Sequence, residues 1–449
     1  MPAAAVSGGQ GNPPAPLHFT VTRCPKEGGM VTAVRAGEHE AIYYPEDRLP
    51  WPQTVLLGIQ HVMAMFGATV LVPLILGFNV NTVLFFSGVA TLIFLGWTGG
   101  KIPSYLGSSF SFIGSVLAIQ GGAGHNQSLA FAGIFVAGAL YFLVGLGVHR
   151  AGPNVIRFFM PPVVTGTVVA VIGLALANPA WASYSKDLFT ATVTVLAAAV
   201  ASVYLRGFAR LLPILIAIVV GYVVALIDPL CGAATSGCHV NFGLVTGAPW
   251  VGHPQFSVPQ FTARAVSLFW FIPIVLVAEN AGHVYAISGL MKRDLSGYLG
   301  RAFMGDGIGT MLSGLFGGTG ETTYAENIGV MGVTRVFSIP VYVTAAVVAI
   351  LLGFIPKFGG LVNSVPVSVL GGIELYLFGL IAAIGGKIWV DGRVDFSNRA
   401  NLATAAIPLI LAASGSAVKS GAFEINNLGL GALGAILIYQ ILRPGMKEA

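Results

Sequence analysis

The sequence predicts an all-α polytopic membrane protein of fourteen transmembrane segments in two halves of seven. Three observations predict it. Of 449 residues, 55% are hydrophobic and 9% charged, with a mean hydropathy of +0.83; a soluble chain carries about 25% charged residues. Apolar runs follow one another at 53–77, 81–97, 104–121, 128–148, 155–177, 188–205, 209–227, 263–290, 300–316, 322–334, 337–355, 363–386, 400–414 and 427–442. With the N-terminus placed inside, 18 of the 22 basic residues fall on the inner side, leaving Lys186, Arg264, Lys357 and Lys419 outside. That is the bias expected of inner loops.

Taken in order, residues 1–49 are polar and Gly/Pro/Ala-rich, and read as a mostly disordered cytoplasmic tail without the apolar run of a signal peptide. Several of the spans fall short of the ~20 residues of a straight crossing, and those at 104–121, preceded by Pro103, and 322–334 are also interrupted by Gly. The interval 228–262 lacks Lys and Arg and divides the spans evenly. An odd number of spans per half makes the halves antiparallel, an inverted repeat. Weak internal likeness supports this. Gly99-Gly100 with Ser104-Tyr105 is echoed by Gly317-Gly318 with Thr323-Tyr324, and Pro161-Pro162 with Gly173-Leu174 by Pro366 with Gly379-Leu380. Cys231 and Cys238 share the outer interval, and their spacing leaves both a disulfide and two thiols open.

The stretch Gly317–Arg335 is rich in glycine and polar groups within a very apolar half. Lipid does not tolerate unpaired backbone polar groups, so this stretch must be buried in protein or line a wet cavity. It reads as a broken helix at a substrate site. Five acids fall within or beside the spans: Glu279, Asp306, Glu321, Glu326 and Glu374. Each costs about 2.5–3.5 kcal/mol on insertion scales, which makes it a functional candidate; the plainer alternative is a helix-bracing hydrogen bond. Glu279 and His283 are four residues apart on one helical face and together can take up and release a proton. Glu326 sits at the break, beside the free N–H groups of the half-helix that follows, and Asn327 can bridge the broken elements. The matching break, Gly107-Ser108-Ser109-Phe110-Ser111, offers the hydroxyl of Ser109 and the ring of Phe110, which can stack on a flat ligand. His61 in the first span reads as a hydrogen-bonded support, and Asp306 as a group holding neighbouring helices together.

The net charge of +5 is scattered among short loops and forms no nucleic-acid patch. No phosphate-binding loop, metal-ligand spacing or nucleophile–base pair occurs, so the reading is a non-enzyme without cofactor or metal.

Glu326-Asn327-Ile328-Gly329 running on to Thr334-Arg335 resembles the signature of the nucleobase–ascorbate (nucleobase:cation symporter-2) transporters. Gln60-His61, Ala64–Pro73, Tyr105–Phe110, Ala278-Glu279 with Gly282-His283, and Thr322–Met331 are similar to bacterial uracil/pyrimidine permeases of that family. The resemblance covers about Pro50 to the C-terminus. It implies a core domain (50–150 and 263–356) and a gate domain (151–227 and 357–449), separated by an extracytoplasmic linker at 228–262. Short antiparallel strands would interrupt the third and tenth spans. It further implies proton-coupled import of uracil across the inner membrane, both termini cytoplasmic, and a homodimer. Glu279 and Glu326 would hold the uracil edge, with Phe110 stacked on the ring. The Ala325 backbone would meet a carbonyl, Tyr324 would line the pocket, and His283 would couple to the proton.

Ala325 stands where uracil permeases often have Gly, Phe378 where they have Tyr, and Glu321 and Glu374 match nothing in the pattern. A purine (xanthine or urate) permease is the near alternative, and an anion transporter of the same architecture a more distant one. A non-transporting sensor is disfavoured by the lack of a soluble output domain.

Overall fold

The computed structural model describes residues 42–121, 126–232, 237–421 and 423–443; the expectation of a tail over 1–41 lies outside them. The first helices are α1 (Trp51–Leu76), α2 (Val80–Trp97), α3 (Ile113–Gln120) and α4 (Gln127–Ala151), with strand β1 (Leu106–Ser108) before α3. There follow α5 (Asn154–Phe159), α6 (Pro162–Ala175), α7 (Ala177–Tyr184), α8 (Leu188–Tyr204), α9 (Pro213–Ile227) and the four-residue α10 (Gly243–Thr246). The second half holds α11 (Ala263–Phe269), α12 (Ile272–Met291), α13 (Leu299–Phe316), strand β2 (Glu321–Thr323), α14 (Ala325–Thr334), α15 (Ile339–Gly353), α16 (Pro356–Asn363) and α17 (Val367–Asp391). It closes with α18 (Arg399–Ala413), strands β3 (Val418–Ser420) and β4 (Phe423–Ile425), and α19 (Asn427–Leu442). Among the described residues six helical segments are long and apolar enough to cross a membrane, or seven if α15 and α16, bent by 83°, count as one.

Local chemistry sets the boundaries. Asn79, Asn126, Asp187, Thr262, Asn398 and Asn426 each cap a helix by accepting from an N–H of its first turn. The expected span at 155–177 is displaced: a short α5 ends at Phe159 and the long segment runs from Pro162 to Tyr184. Pro161-Pro162 is the cause, because proline disfavours helix in the residue before it and favours the first helical position after it. Pro366 likewise moves the start of the expected 363–386 span to Val367.

One further expectation is corrected. Residues 42–49, assigned to the tail, are tied down: Tyr43 exchanges backbone hydrogen bonds with Arg335 and Phe337 (3.0 and 2.7 Å), and Glu46 pairs with Arg293 at 2.7 Å. The interval 415–426, between the last two expected spans, holds the β3–β4 hairpin. Cys231 and Cys238 are joined in a disulfide.

The helices pack in two groups. α13 lies against α4 and α2, and α15 against α2 and α1, while α17 lies against α6, α7, α8 and α9, and α18 against α19 and α6. Small residues bring backbones together, as lipid-immersed helices require. A Cβ on Gly138 would stand 2.6 Å from the Met311 amide nitrogen, and one on Gly307 would stand 2.7 Å from that of Phe142. Tyr105, Tyr141 and Tyr342 are among the largest fully buried side chains.

Candidate substrate site at the paired helix breaks

β1 and β2 pair antiparallel, with Leu106 opposite Thr323, Gly107 opposite Thr322 and Ser108 opposite Glu321. Ser109 N donates to the Gly320 carbonyl and Tyr324 N to that of Tyr105, which extends the ladder at both ends. These bonds satisfy backbone groups that the interrupted helices cannot. Gly107 permits the approach: a Cβ there would stand 2.7 Å from both the Tyr324 ring and Thr69 Oγ1. Tyr324 is anchored by donating to the Ser108 carbonyl (3.0 Å) and accepting from Thr69 (3.1 Å).

A cavity of about 340 Å³ opens beside this ladder. Phe110, Glu279, His283, Tyr324, Ala325 and Glu326 line it, and it runs along α17 to Lys387 and Asp391. Glu279 comes from α12 and Glu326 from the first turn of α14, and both border this one cavity. Ala325 is exposed to the cavity and opens α14, whose first N–H groups have no partner within the helix.

Of the expected site residues, Ser109 lies behind this lining. Its hydroxyl and that of Ser111 each donate to Glu279 Oε2 at 3.4 Å. Glu279 and His283 border one cavity, but no hydrogen bond or ion pair joins them among the described residues. His283 Nδ1 meets Thr323 Oγ1 at 2.9 Å, and the Thr323 hydroxyl donates to Asn280. Nδ1 is therefore the donor, and Nε2 is the acceptor of the ring.

Asn327 does not bridge the two breaks. Its amide donates to His61 Nδ1 (2.9 Å) and to the His61 carbonyl (3.1 Å), tying α14 to α1; the ring of His61 rests 4.7 Å from that of Tyr342. Asp306 accepts from Asn280, which also donates to Tyr141 at 2.9 Å. Asn280 thus joins α12 to α4, α13 and β2, a role that an uncharged amide beside Glu279 does not signal in the sequence. Glu321 is held by Ser313 (3.2 Å) and Thr319 (3.4 Å), and Glu374 is buried on α17. Neither lines the cavity. Phe378 meets Phe110 edge-on at 5.8 Å.

Comparison with known proteins decides the family. Residues 52–421 match the Permease family. The protein named pyrimidine permease RutG of Escherichia coli K12 is 46% identical over 405 residues, covering 89% of this chain and 91% of that protein. The uracil permease of Bacillus caldolyticus is 39% identical, covering 90% and 95%. The chain belongs to this permease family, the nucleobase–ascorbate transporters. As a permease it is a multi-pass membrane protein and not an enzyme. Solved structures agree on the fold. The transmembrane domain of the cyanobacterial bicarbonate transporter BicA superposes with a TM-score of 0.59 at 14% identity, over 88% of this chain and 98% of that one. Murine Slc26a9, an anion transporter in an inward-facing state, gives 0.65 at 10% identity, over 90% and 70%. The permease shares their architecture, and its site must be read from its own side chains.

Proposed function

We propose that this permease imports uracil and related pyrimidines by proton-coupled alternating access. The observation that carries the reading is that Glu279 and Glu326, 47 positions apart in sequence, face one cavity with Phe110. Uracil is flat and neutral, and alternates C=O with N–H. Two carboxylates accept from its two N–H groups, the free amides at the start of α14 donate to a carbonyl near Ala325, and Phe110 covers the ring. Tyr324 closes one wall, and Ser109 with Ser111 holds Glu279 in place. The names of the relatives agree with this cargo.

Glu279 and His283 Nε2 are the groups that exchange the coupled proton. An unpaired buried carboxylate is costly, so loading of substrate and proton together lowers the cost of closing the site. His61, Asn327 and Asp306 support it by tying α14, α12 and α13 to their neighbours.

The frame for this cycle is fourteen crossings in an inverted repeat. In its support, β1 and β2 each precede a short helix and pair across the two halves. The α1–α4 and α11–α15 group forms the core domain, and α6–α9 with α17–α19 forms the gate that rocks against it. The excess of basic residues sets both termini on the cytoplasmic side of the inner membrane. The cavity then opens inward past Lys387, and a homodimer is the assembly expected.

The test is uptake of labelled uracil into proteoliposomes with and without an inward proton gradient. Gradient-dependent uptake, inhibited by unlabelled uracil more strongly than by xanthine, is expected. Gradient-independent flux would reject coupling, and stronger inhibition by xanthine would reassign the cargo to a purine.

A further inference from the structure

Glu326 borders a second cavity. It measures about 190 Å³ and lies between α1 and α14 on one side and the 207–211 turn, α9 and α17 on the other. Its polar lining comes from Glu326, Arg210 and Tyr376. Glu326, Leu377 and Leu380 border both cavities, whereas Glu279, His283 and Phe110 border the larger one alone. Glu326 is therefore part of the wall between them. Arg210 is exposed and marks the mouth. A third cavity, of about 330 Å³ between α1 and α9, has no charged lining and reaches no carboxylate.

A nucleobase seated between Glu279 and Glu326 displaces water from the larger cavity. A carboxyl group sealed behind it would have no acceptor for its proton until the substrate left. The smaller cavity supplies one: it is large enough for several waters and offers them polar partners at both ends. We propose that the smaller cavity is a hydrated path through which Glu326 exchanges its proton with the Arg210 face of the membrane while the nucleobase occupies the larger cavity. The step breaks the O–H bond of the Glu326 carboxyl, leaves the electron pair on the carboxylate and passes the proton to cavity water. The titratable and charged groups facing Glu326 are Arg210 and Tyr376 across the smaller cavity, and Glu279, His283, Tyr324, Lys387 and Asp391 across the larger. The proposal rests on the reading of Glu326 as part of the nucleobase site; the proton taken up at Glu279 and His283 reaches Glu326 across the cavity they share and leaves by a route that the substrate does not use.

Gly329 gives the test, because it lines the smaller cavity alone and a Cβ there meets nothing within 4 Å. Cys24 is the one cysteine outside the disulfide, so Cys24→Ser leaves no other free thiol. In full-length Cys24→Ser, Gly329→Cys protein, reconstituted with the Arg210 face accessible, a bulky membrane-impermeant methanethiosulfonate is applied with and without saturating uracil. Equilibrium uracil binding, and proton release from the uracil-saturated protein after an upward pH jump, followed with a pH-sensitive dye, are then measured; neither needs the core and gate to rock. The expected result is equal labelling with and without uracil, unchanged binding and at least tenfold slower proton release. Protection by uracil, a parallel loss of binding and release, or no effect on either would overturn the proposal. If Gly329→Cys fails to bind uracil before labelling, Arg210→Cys at the exposed mouth carries the same test. Failure of the Cys24→Ser parent itself to bind uracil would instead refute the nucleobase reading, and the proposal with it.

Discussion

Gly107 and Asn280 hold the site from behind. Gly107→Ala pushes a methyl group against the Tyr324 ring and Thr69. Overpacking of this kind costs about 1–3 kcal/mol, so a lower melting temperature and weaker uracil binding are expected together; wild-type binding in a calorimetric titration would show that the ladder yields without disturbing the cavity. Asn280→Ala strips Asp306, Tyr141 and the Thr323 hydroxyl of a shared partner. Each buried polar group left unpaired costs about 1–3 kcal/mol, so a marked loss of thermal stability is expected, and an unchanged melting curve would contradict the assignment. Glu279 and Glu326 were legible in the sequence because an ionisable group in an apolar run is costly enough to need a reason. Asn280, one position from Glu279, carries no charge, and an amide within a helix gives no such signal. Ser111 and Thr323 were legible only as members of polar stretches, since their partners Glu279 and His283 lie far away in sequence.

Among elements, the β3–β4 hairpin sets up a contact between the two helix groups. Glu424 pairs with Arg264 at the start of α11 (3.2 Å) and with Lys419 across the hairpin (2.9 Å). Its backbone N–H donates to Ser267, and Asn426 donates to Ser115 on α3. The basic partners are partly exposed, so each pair contributes at most about 1 kcal/mol. That is enough to bias a two-state rocking motion several-fold. Glu424→Gln is expected to speed amide hydrogen exchange over 418–425 and around Arg264 while leaving α4 and α13 unchanged; identical exchange would mean that backbone packing alone holds the hairpin. Three-residue strands carry too little alternation to be read from sequence, so nothing in 415–426 announced the hairpin. The helix ends were legible where Asn, Asp or Thr caps them, and displaced where Pro161-Pro162 and Pro366 fix the chain.

At the scale of the whole molecule, the architecture is shared with transporters named for bicarbonate and other anions, so the fold alone does not name the cargo. The succession of apolar runs made the multi-pass membrane character legible. The two cavities were not, because their walls join α1, α12, α14 and α17 across most of the chain, and no local pattern records which helices become neighbours. The account stands on two carboxylates from separate helices meeting one neutral ring. Its most direct test is equilibrium binding of uracil to the purified wild type, to Glu279→Gln and to Glu326→Gln, each checked for an unchanged melting profile. Hydrogen bonds to a charged partner are worth about 1.5–3 kcal/mol, so each substitution is predicted to weaken binding about tenfold to a hundredfold. Wild-type affinity in either folded variant would contradict the two-carboxylate site.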